Sequence, residues 1–469
     1  MKRSIAALSA LALSLGSISL QADTLREIYE LALQNDAQLK QEEAIYLASR
    51  EAEKLSLSRL LPQVNATYDR RDIDQDVDAE SFDVDQGIGT VATSTNTDVT
   101  DESLQVSLRQ PLFDLPAWFS FQSGKETTKQ AEATFASNQQ NLIVRTVEAY
   151  LLVLRAQDNL AASMAQERAF ERQLEQTQQR FEVGLIAITD VYEAQAARDL
   201  AQVSRLVDEN NVSVALEQLS VLTGQRHGNL NILKEDFAIR PPEPLDRAAW
   251  VDFSLANNFL LKASHFGEEA ARQEAKSSRL EHVFKVNGTY AYTDSEVDGS
   301  LTRKPATAFD TSPDRDTDSQ VWGVELSMPL YSGGAISSNR RRTAQEFNSA
   351  RENRINLTRQ AISATRSLHM TVVSDVSRIA ARKQSIVSSK SSLDATTAGY
   401  EVGTRNVVDV LNAQNTLFAA ERDYANSRYD YIINLMRLKE QAGLLSPQDV
   451  LKLDSNLIPP PPASATASK

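Results

Sequence analysis

The sequence contains no cysteine. Disulfide crosslinks, thiolate chemistry and cysteine-ligated zinc are thereby excluded. Histidine is nearly as scarce. His227, His265, His282 and His369 stand far apart, so no metal-binding pair follows. No phosphate-binding glycine loop is present; the GIGT at Gly87 is too short to form one. Nothing in the residue set points to catalysis, and no cofactor is implied. Aromatic residues make up only 6% of 469 positions, against 41% hydrophobic overall, so the core is sparse. Acid outweighs base, with 63 Asp and Glu against 49 Lys and Arg. The net charge is -14, and Asp72 to Glu102 carries ten acidic residues and no basic one. A nucleic-acid binder needs a basic face, and this excess of acid argues against that role. Beyond Ala22 there is no apolar run of about 18 residues, the length that crosses a bilayer as a helix. A membrane role would therefore require a β-barrel, the other structure that satisfies its own backbone in lipid.

Lys2 and Arg3 precede a small, apolar stretch from Ile5 to Leu20. Ala22 fits a cleavage position, although Leu20 stands where a small residue is usual. Residues 1–22 are read as a signal peptide. A membrane anchor is the alternative, but the run is short and rich in Ala and Ser. The mature chain is expected to start near Asp23 and to be exported. The acidic stretch Asp72 to Glu102 reads most simply as a solvated, mobile loop.

What the chain has in abundance is self-similarity. FEVGLIAITDVYEAQ at Phe181 matches YEVGTRNVVDVLNAQ at Tyr400, 219 positions on. ALQNDAQLK at Ala32 matches SLANNFLLK at Ser254, VNATY at Val64 matches VNGTY at Val286, and VSLRQPLFD at Val106 matches VELSMPLYS at Val324. The order is kept, so the chain is a tandem duplication of one unit. The expected layout is a signal peptide at 1–22, a first repeat at 23–240, a second at 241–446, and a tail at 447–469 that is disordered at its end.

Each repeat carries the same punctuation. No proline falls between Pro116 and Pro241, or between Pro329 and Pro447. Proline costs about 3 kcal/mol inside a helix, so its absence over such spans predicts helix. Gly184 and Gly224 interrupt the first span, and Gly403 and Gly443 the second. Each repeat thus predicts a long helix, a glycine turn, a returning helix and a glycine stop. Val410, Leu417, Tyr424, Tyr431 and Leu438 recur every seven residues, with Leu411, Phe418, Ala425 and Ile432 beside them. That is a heptad seam widened to face more than one neighbour. A helix from Ala117 to Val183 would reach roughly 100 Å at about 1.5 Å per residue, which suits a coiled coil or a helical tube.

Before each hairpin come two segments of period-two alternation. Val64, Ala66 and Tyr68, then Leu104, Val106 and Leu108, mark apolar faces in the first repeat. Val286, Gly288, Tyr290 and Tyr292, then Trp322, Val324, Leu326 and Met328, do so in the second. The pattern fits a soluble sheet packed on one side, or a barrel with lipid outside and water inside, with segments of about 10 residues. Export, and the lack of a spare apolar helix face to cover a sheet, favour the barrel. Four strands cannot enclose an aqueous channel, so a barrel implies a ring of chains.

This doubled order of helix, strand, acidic stretch, strand and proline-bounded hairpin resembles the TolC family of outer-membrane efflux proteins. The glycine turns quoted above are similar to that family's two interhelical turns. LLPQVNATY, QPLFD and MPLYSGG are similar to its strand starts and ends. The resemblance runs from about Leu25 to Leu453. It implies a mostly α fold with a small β part. Three chains would share one β-barrel, four strands each, set in outer-membrane lipid of a Gram-negative bacterium. A long periplasmic α-helical barrel would continue it and close at the turns. A periplasmic adaptor and an inner-membrane pump would dock there, and the protein would conduct cargo passively without being an enzyme. The competing class is a periplasmic coiled-coil adaptor, or a structural protein with no pore of its own; the alternating strands argue against it.

The resemblance also assigns roles at the turns marked by Gly184 and Gly403. Tyr400 and Arg405 match positions that latch the second hairpin to its neighbours, with Thr189 and Asp190 as partners, and Gln173 matches another latch position. Asp409 and Asn412 match two acidic positions that ring the pore constriction. Asn412 departs from the pattern and leaves one carboxylate per chain there. Thr397 also departs, standing where the family has a carboxylate. By residue type alone Arg405 is a solvated charge, Tyr400 a packing aromatic and Asp409 a helix-start carboxylate favoured by the dipole. The match favours latch and constriction instead, since Arg405 can make a forked bond to the Asp190 carboxylate.

Overall fold

The computed structural model describes residues 23–82, 90–304 and 313–460. The expected signal peptide lies outside them. The first half of the chain forms α1 (Leu25–Asn35), α2 (Ala37–Ser58), β1 (Gln63–Phe82), β2 (Thr90–Phe113), α3 (Leu115–Glu182), α4 (Ile188–Thr223) and β3 (Ile232–Leu233). The second half forms α5 (Arg247–Asn257), α6 (Phe259–Arg279), β4 (Lys285–Lys304), β5 (Arg315–Ser327), α7 (Ala335–Glu401), α8 (Val407–Gln441), α9 (Pro447–Asp454) and β6 (Leu457–Ile458). Each half is a helix pair, a strand pair and a helical hairpin. The 68 residues of α3 and 67 of α7 fill the long proline-poor spans.

The helix expected before each strand pair is in fact two helices. Asp36 and Asn258 break it at matching places. Each donates its backbone N–H to the helix behind, at Ala32 O and Ser254 O. Each side chain then accepts from the helix ahead, from Leu39 N at 2.9 Å and from Leu261 N at 3.1 Å. Asp and Asn favour such caps because a short polar side chain reaches an otherwise unpaired N–H.

The chain separates into two compact units. The first unit gathers the segments up to Ile45, Ala133–Lys262 and the chain from Asn356 on. Its core buries Leu25, Ile28, Leu142, Val147, Tyr150, Leu154, Leu219, Ile432 and Leu438. Burying one such leucine contributes about 1.5–3 kcal/mol. Tyr431 and Leu438 of the predicted heptad seam are among the buried residues, as is Val410. Within the segment expected as a tail, α9 starts in a capping box between Ser446 and Asp449, and Ile458 of β6 pairs with Ile232 of β3. Residues 461–469 lie outside those described.

The second unit comprises Tyr46–Glu132 and Ala263–Ile355. It holds an antiparallel sheet in the order β1-β2-β4-β5. The register sets Val64 opposite Leu108, Leu108 opposite Tyr290, and Tyr290 opposite Trp322. Ala66, Val106 and Tyr292 form the next row. All four alternating segments therefore turn their apolar residues to one face. Trp322, Val324 and Leu326 on that face are 76%, 74% and 67% exposed. Among the described residues nothing pairs with the outer edges of β1 and β5.

Two expectations are corrected here. The strands are 20, 24, 20 and 13 residues long rather than about 10. The acidic stretch is not a loop over its described length. Asp72 pairs opposite Thr100, Asp74 opposite Asp98 and Asp76 opposite Asn96. The partner run is rich in Thr and Val, which favour extended backbone. Cross-strand bonds also relieve the carboxylates. Asn96 Nδ2 donates to Asp76 at 2.7 Å, Thr100 Oγ1 to Asp72 at 2.9 Å, and Arg70 pairs with Glu102 at 2.7 Å. Acidic composition signals solvation, and a strand solvated on both faces satisfies it as well as a loop does. Residues 83–89 lie outside those described.

Candidate functional site: the paired helix turns

Both turns belong to the first unit, and both are built by the backbone. At the end of α3, Gly184 N bonds to Phe181 O at 2.8 Å and Leu185 N to Arg180 O at 2.9 Å. At the end of α7, Gly403 N bonds to Tyr400 O at 3.2 Å and Thr404 N to Gly399 O at 2.9 Å. This pair of bonds is the Schellman ending, which needs a left-handed residue after the helix. Gly184 and Gly403 supply it, with φ of 77° and 79°.

The side chains around the two turns differ. Asp190 and Asp409 are each the third residue of the returning helix. Before α8, Asn406 accepts from Asp409 N at 2.8 Å and Asp409 Oδ2 reaches back to Asn406 N at 3.4 Å, a capping box. Before α4 the cap position is Ala187, with no side-chain bond. The Asp190 carboxylate thus has no partner among the described residues. Thr189 beside it is exposed.

Tyr400 is 6% exposed and packs with Phe170, Ala201, Val407, Val410 and Leu411. Its hydroxyl is buried without a hydrogen-bond partner among the described residues. Leaving such a group unpaired costs about 1–3 kcal/mol. The Arg180 guanidinium lies 4.6 Å from the centre of the Tyr400 ring and its Nη1 donates to Tyr400 O at 3.5 Å. A cation over an aromatic face contributes about 0.5–2 kcal/mol, depending on desolvation. Arg405 folds back over Gly399, where an added Cβ would come within 2.8 Å of Arg405 Cγ. Its Nη1 lies 3.8 Å from Asp409 Oδ2. Gln173 is buried and donates to Thr177 Oγ1 at 3.5 Å. Gln173, Gln176, Gln179, Arg180, Thr397 and Tyr400 line a cavity of 440 Å3 on the α3 and α7 side.

Within one chain, then, Arg405 comes to Asp409 and Tyr400 to Arg180, and among the described residues no bond joins Arg405 or Tyr400 to Asp190. Asn412 is exposed, three residues after Asp409 and on the same helix face. Arg180 is the residue sequence reasoning missed. It stands at the position of Gly399 in the other repeat, and that exchange is its only sequence signal. Among the described residues no cluster of metal-ligating side chains is present.

Comparison with known proteins identifies the fold and family that carry these turns. The family described as outer membrane efflux protein matches residues 28–225 and 250–444, one match in each half. The chain is 34% identical over 452 residues to outer membrane protein TolC of Vibrio cholerae serotype O1, covering 95% of this chain and 96% of the relative. It is 28% identical over 436 residues to alkaline protease secretion protein AprF of Pseudomonas aeruginosa, covering 92% and 86%. The solved structure of CusC superposes with a TM-score of 0.72 over 90% of this chain and 92% of CusC, at 14% identity, a likeness of fold alone. A duplicated chain with an apolar-faced sheet and two glycine-ended hairpins, matched along nearly its full length, belongs to the outer membrane efflux protein family, and its place is the outer membrane of a Gram-negative cell.

Proposed function

We propose that three copies of this chain form a passive exit duct, closed at the paired turns and opened when an inner-membrane pump and a periplasmic adaptor engage it. One observation carries the reading. The sheet is apolar on one exposed face and unpaired at both edges. Such a sheet is unstable alone in water and too narrow to close on itself. Three of them give a twelve-stranded ring with lipid outside and water inside, with the helix-bearing end toward the periplasm. The chain is no enzyme in this reading. AprF is named for alkaline protease secretion, and CzcC of Cupriavidus metallidurans, 26% identical over 315 residues, for cobalt-zinc-cadmium resistance. The first name supports a role in protein secretion and the second a role in resistance to metal ions, and the duct proposed here serves either.

The gate is assigned to groups with unused bonding capacity. Asp190 has a free carboxylate, the Tyr400 hydroxyl is buried and unpaired, and Arg405 is held only loosely by Asp409. Neighbouring copies complete these bonds, with Gln173 and Thr189 beside them, and Asp409 and Asn412 line the constriction. Replacing Tyr400→Phe together with Arg405→Ser is expected to raise single-channel conductance in planar bilayers. Unchanged conductance in a folded trimer would mean that these residues do not hold the tip shut.

A further inference from the structure

The apolar face of the sheet is not smooth. Gly288 of β4 lies in it, between Gln110 of β2 and Val324 of β5. The missing side chain leaves a cavity of 430 Å3 walled by Leu108, Tyr290, Trp322 and Val324. Leu112 stands beside it, with Cδ1 3.6 Å from where a Cβ on Gly288 would lie. The Tyr290 and Trp322 rings, 4.2 Å apart at their centres, close its far end.

Charge divides sharply around this notch. Beyond the aromatic pair the same face turns acidic, with Asp294 opposite Asp318 and Glu296 opposite Asp316. At the helix-bearing end basic residues gather, with the half-buried Glu281 among them accepting from Asn339 Nδ2 at 3.4 Å. Arg59 after α2, Arg279 at the end of α6, and Arg340 and Arg341 in the second turn of α7 are all exposed. None of them has a carboxylate partner among the described residues; Arg341 donates only to Ser338 Oγ, at 3.1 Å.

The dimensions fit one leaflet. Trp322 to Ser327 rises about 17 Å along the strand at roughly 3.4 Å per residue. A tilt of about 40° leaves about 13 Å along the membrane normal. Half of a hydrocarbon core of about 30 Å is about 15 Å. We infer that the Gly288 notch and the arginines at the helix-bearing end form a binding site for one anionic phospholipid of the periplasm-facing leaflet. An acyl chain lies in the notch, and Arg340 and Arg341 meet the headgroup phosphate. Guanidinium forks pair well with phosphate oxygens. A zwitterionic headgroup carries its own cation and gains less. The site rests on the placement of this face in lipid proposed above.

The test uses Trp322 as reporter in the full chain. Trp250 is buried and stays silent, and Trp118→Phe removes the other exposed indole. The protein is reconstituted in phosphatidylcholine vesicles with a minor fraction of brominated-chain phosphatidylglycerol, or the same fraction of brominated-chain phosphatidylcholine. Brominated phosphatidylglycerol is expected to quench Trp322 at about fivefold lower mole fraction, the preference one basic residue at a membrane surface supplies. Arg340→Gln with Arg341→Gln should erase that preference while quenching by phosphatidylcholine persists, and Lys at both positions should keep it. Gly288→Leu should lower quenching by the anionic lipid to the phosphatidylcholine level. The arginine variants, on an exposed helix surface, decide the matter if Gly288→Leu fails to assemble. Equal quenching by both lipids, or a preference untouched by the arginine changes, overturns the site and leaves the membrane placement standing. No quenching by either lipid overturns both.

Discussion

Asp190 and Asp409 hold the same position in the two repeats, and one neighbour separates their fates. Asn406 draws Asp409 into a capping box, while Ala187 leaves Asp190 unclaimed. A helix-start carboxylate at 409 was legible in the sequence, because an Asn three residues before an Asp is a start signal. The stacking of Arg180 on Tyr400 was not, since the two lie far apart in the chain and meet only through packing. Asn412 gives the sharpest test at this scale. If Asp409 lines the constriction, three carboxylates converge there, and a multivalent cation on the periplasmic side should block the pore only loosely. Asn412→Asp sets a second carboxylate one turn away and should tighten the block. Asp409→Asn should nearly abolish it, at a helix cost of about 0.3–1 kcal/mol from the lost dipole interaction. Conductance against trivalent cation concentration reads both, and block untouched by Asp409→Asn would remove that residue from the pore. Gly399→Ala probes the fold of Arg405 over the backbone. Ala favours the helix by about 1 kcal/mol over Gly, yet its Cβ collides with Arg405 Cγ. Conductance should rise as the guanidinium is displaced, with no loss of thermal stability.

The long helices were legible as elements because proline is absent within them and glycine ends them, a signal that needs no tertiary context. The breaks at Asp36 and Asn258 were missed because neither residue forbids a helix; each merely caps the next one. The outer halves of β1 and β2 were missed because apolar alternation stops near Tyr68 and Leu104 while pairing continues. Alternation does mark the lipid-facing part. Val106→Arg or Val324→Arg, facing lipid, should cost up to the roughly 2–4 kcal/mol of a midplane position, whereas Arg at Ser107 or Ser327 should be tolerated. The recovery of assembled protein from outer membranes distinguishes them, and equal tolerance would remove the barrel. Among the helices, Asp158 of α3 accepts from the Tyr429 hydroxyl of α8 at 2.6 Å. Burial holds its carboxyl above the ordinary range, partly offset by that bond. The folded state therefore keeps the proton longer than the unfolded chain, and stability is lost as pH rises through the raised value. Asp158→Asn should melt with the wild type in acid and above it at neutral pH. Parallel melting curves across the range would show that Asp158 is not held protonated.

At the scale of the whole molecule, duplication was the most legible property, because matched motifs at a near-constant spacing need no structure to be seen. What the sequence could not carry is the number of copies, since edge strands show only that pairing is unfinished. Trimers that resist detergent at low temperature and dissociate on boiling are expected from outer-membrane fractions; a soluble periplasmic monomer would sink the duct. The two turns bear on how such a molecule changes over generations. At Gly184 and Gly403 paired backbone bonds set the helix ending. The side chains at Val183 and Leu185 are largely exposed. They are free to drift while the turn keeps its form. If a pump engages the duct at these turns, as proposed, a lineage that acquires a new one can recut these teeth on an unchanged blank, and need not redesign the lock.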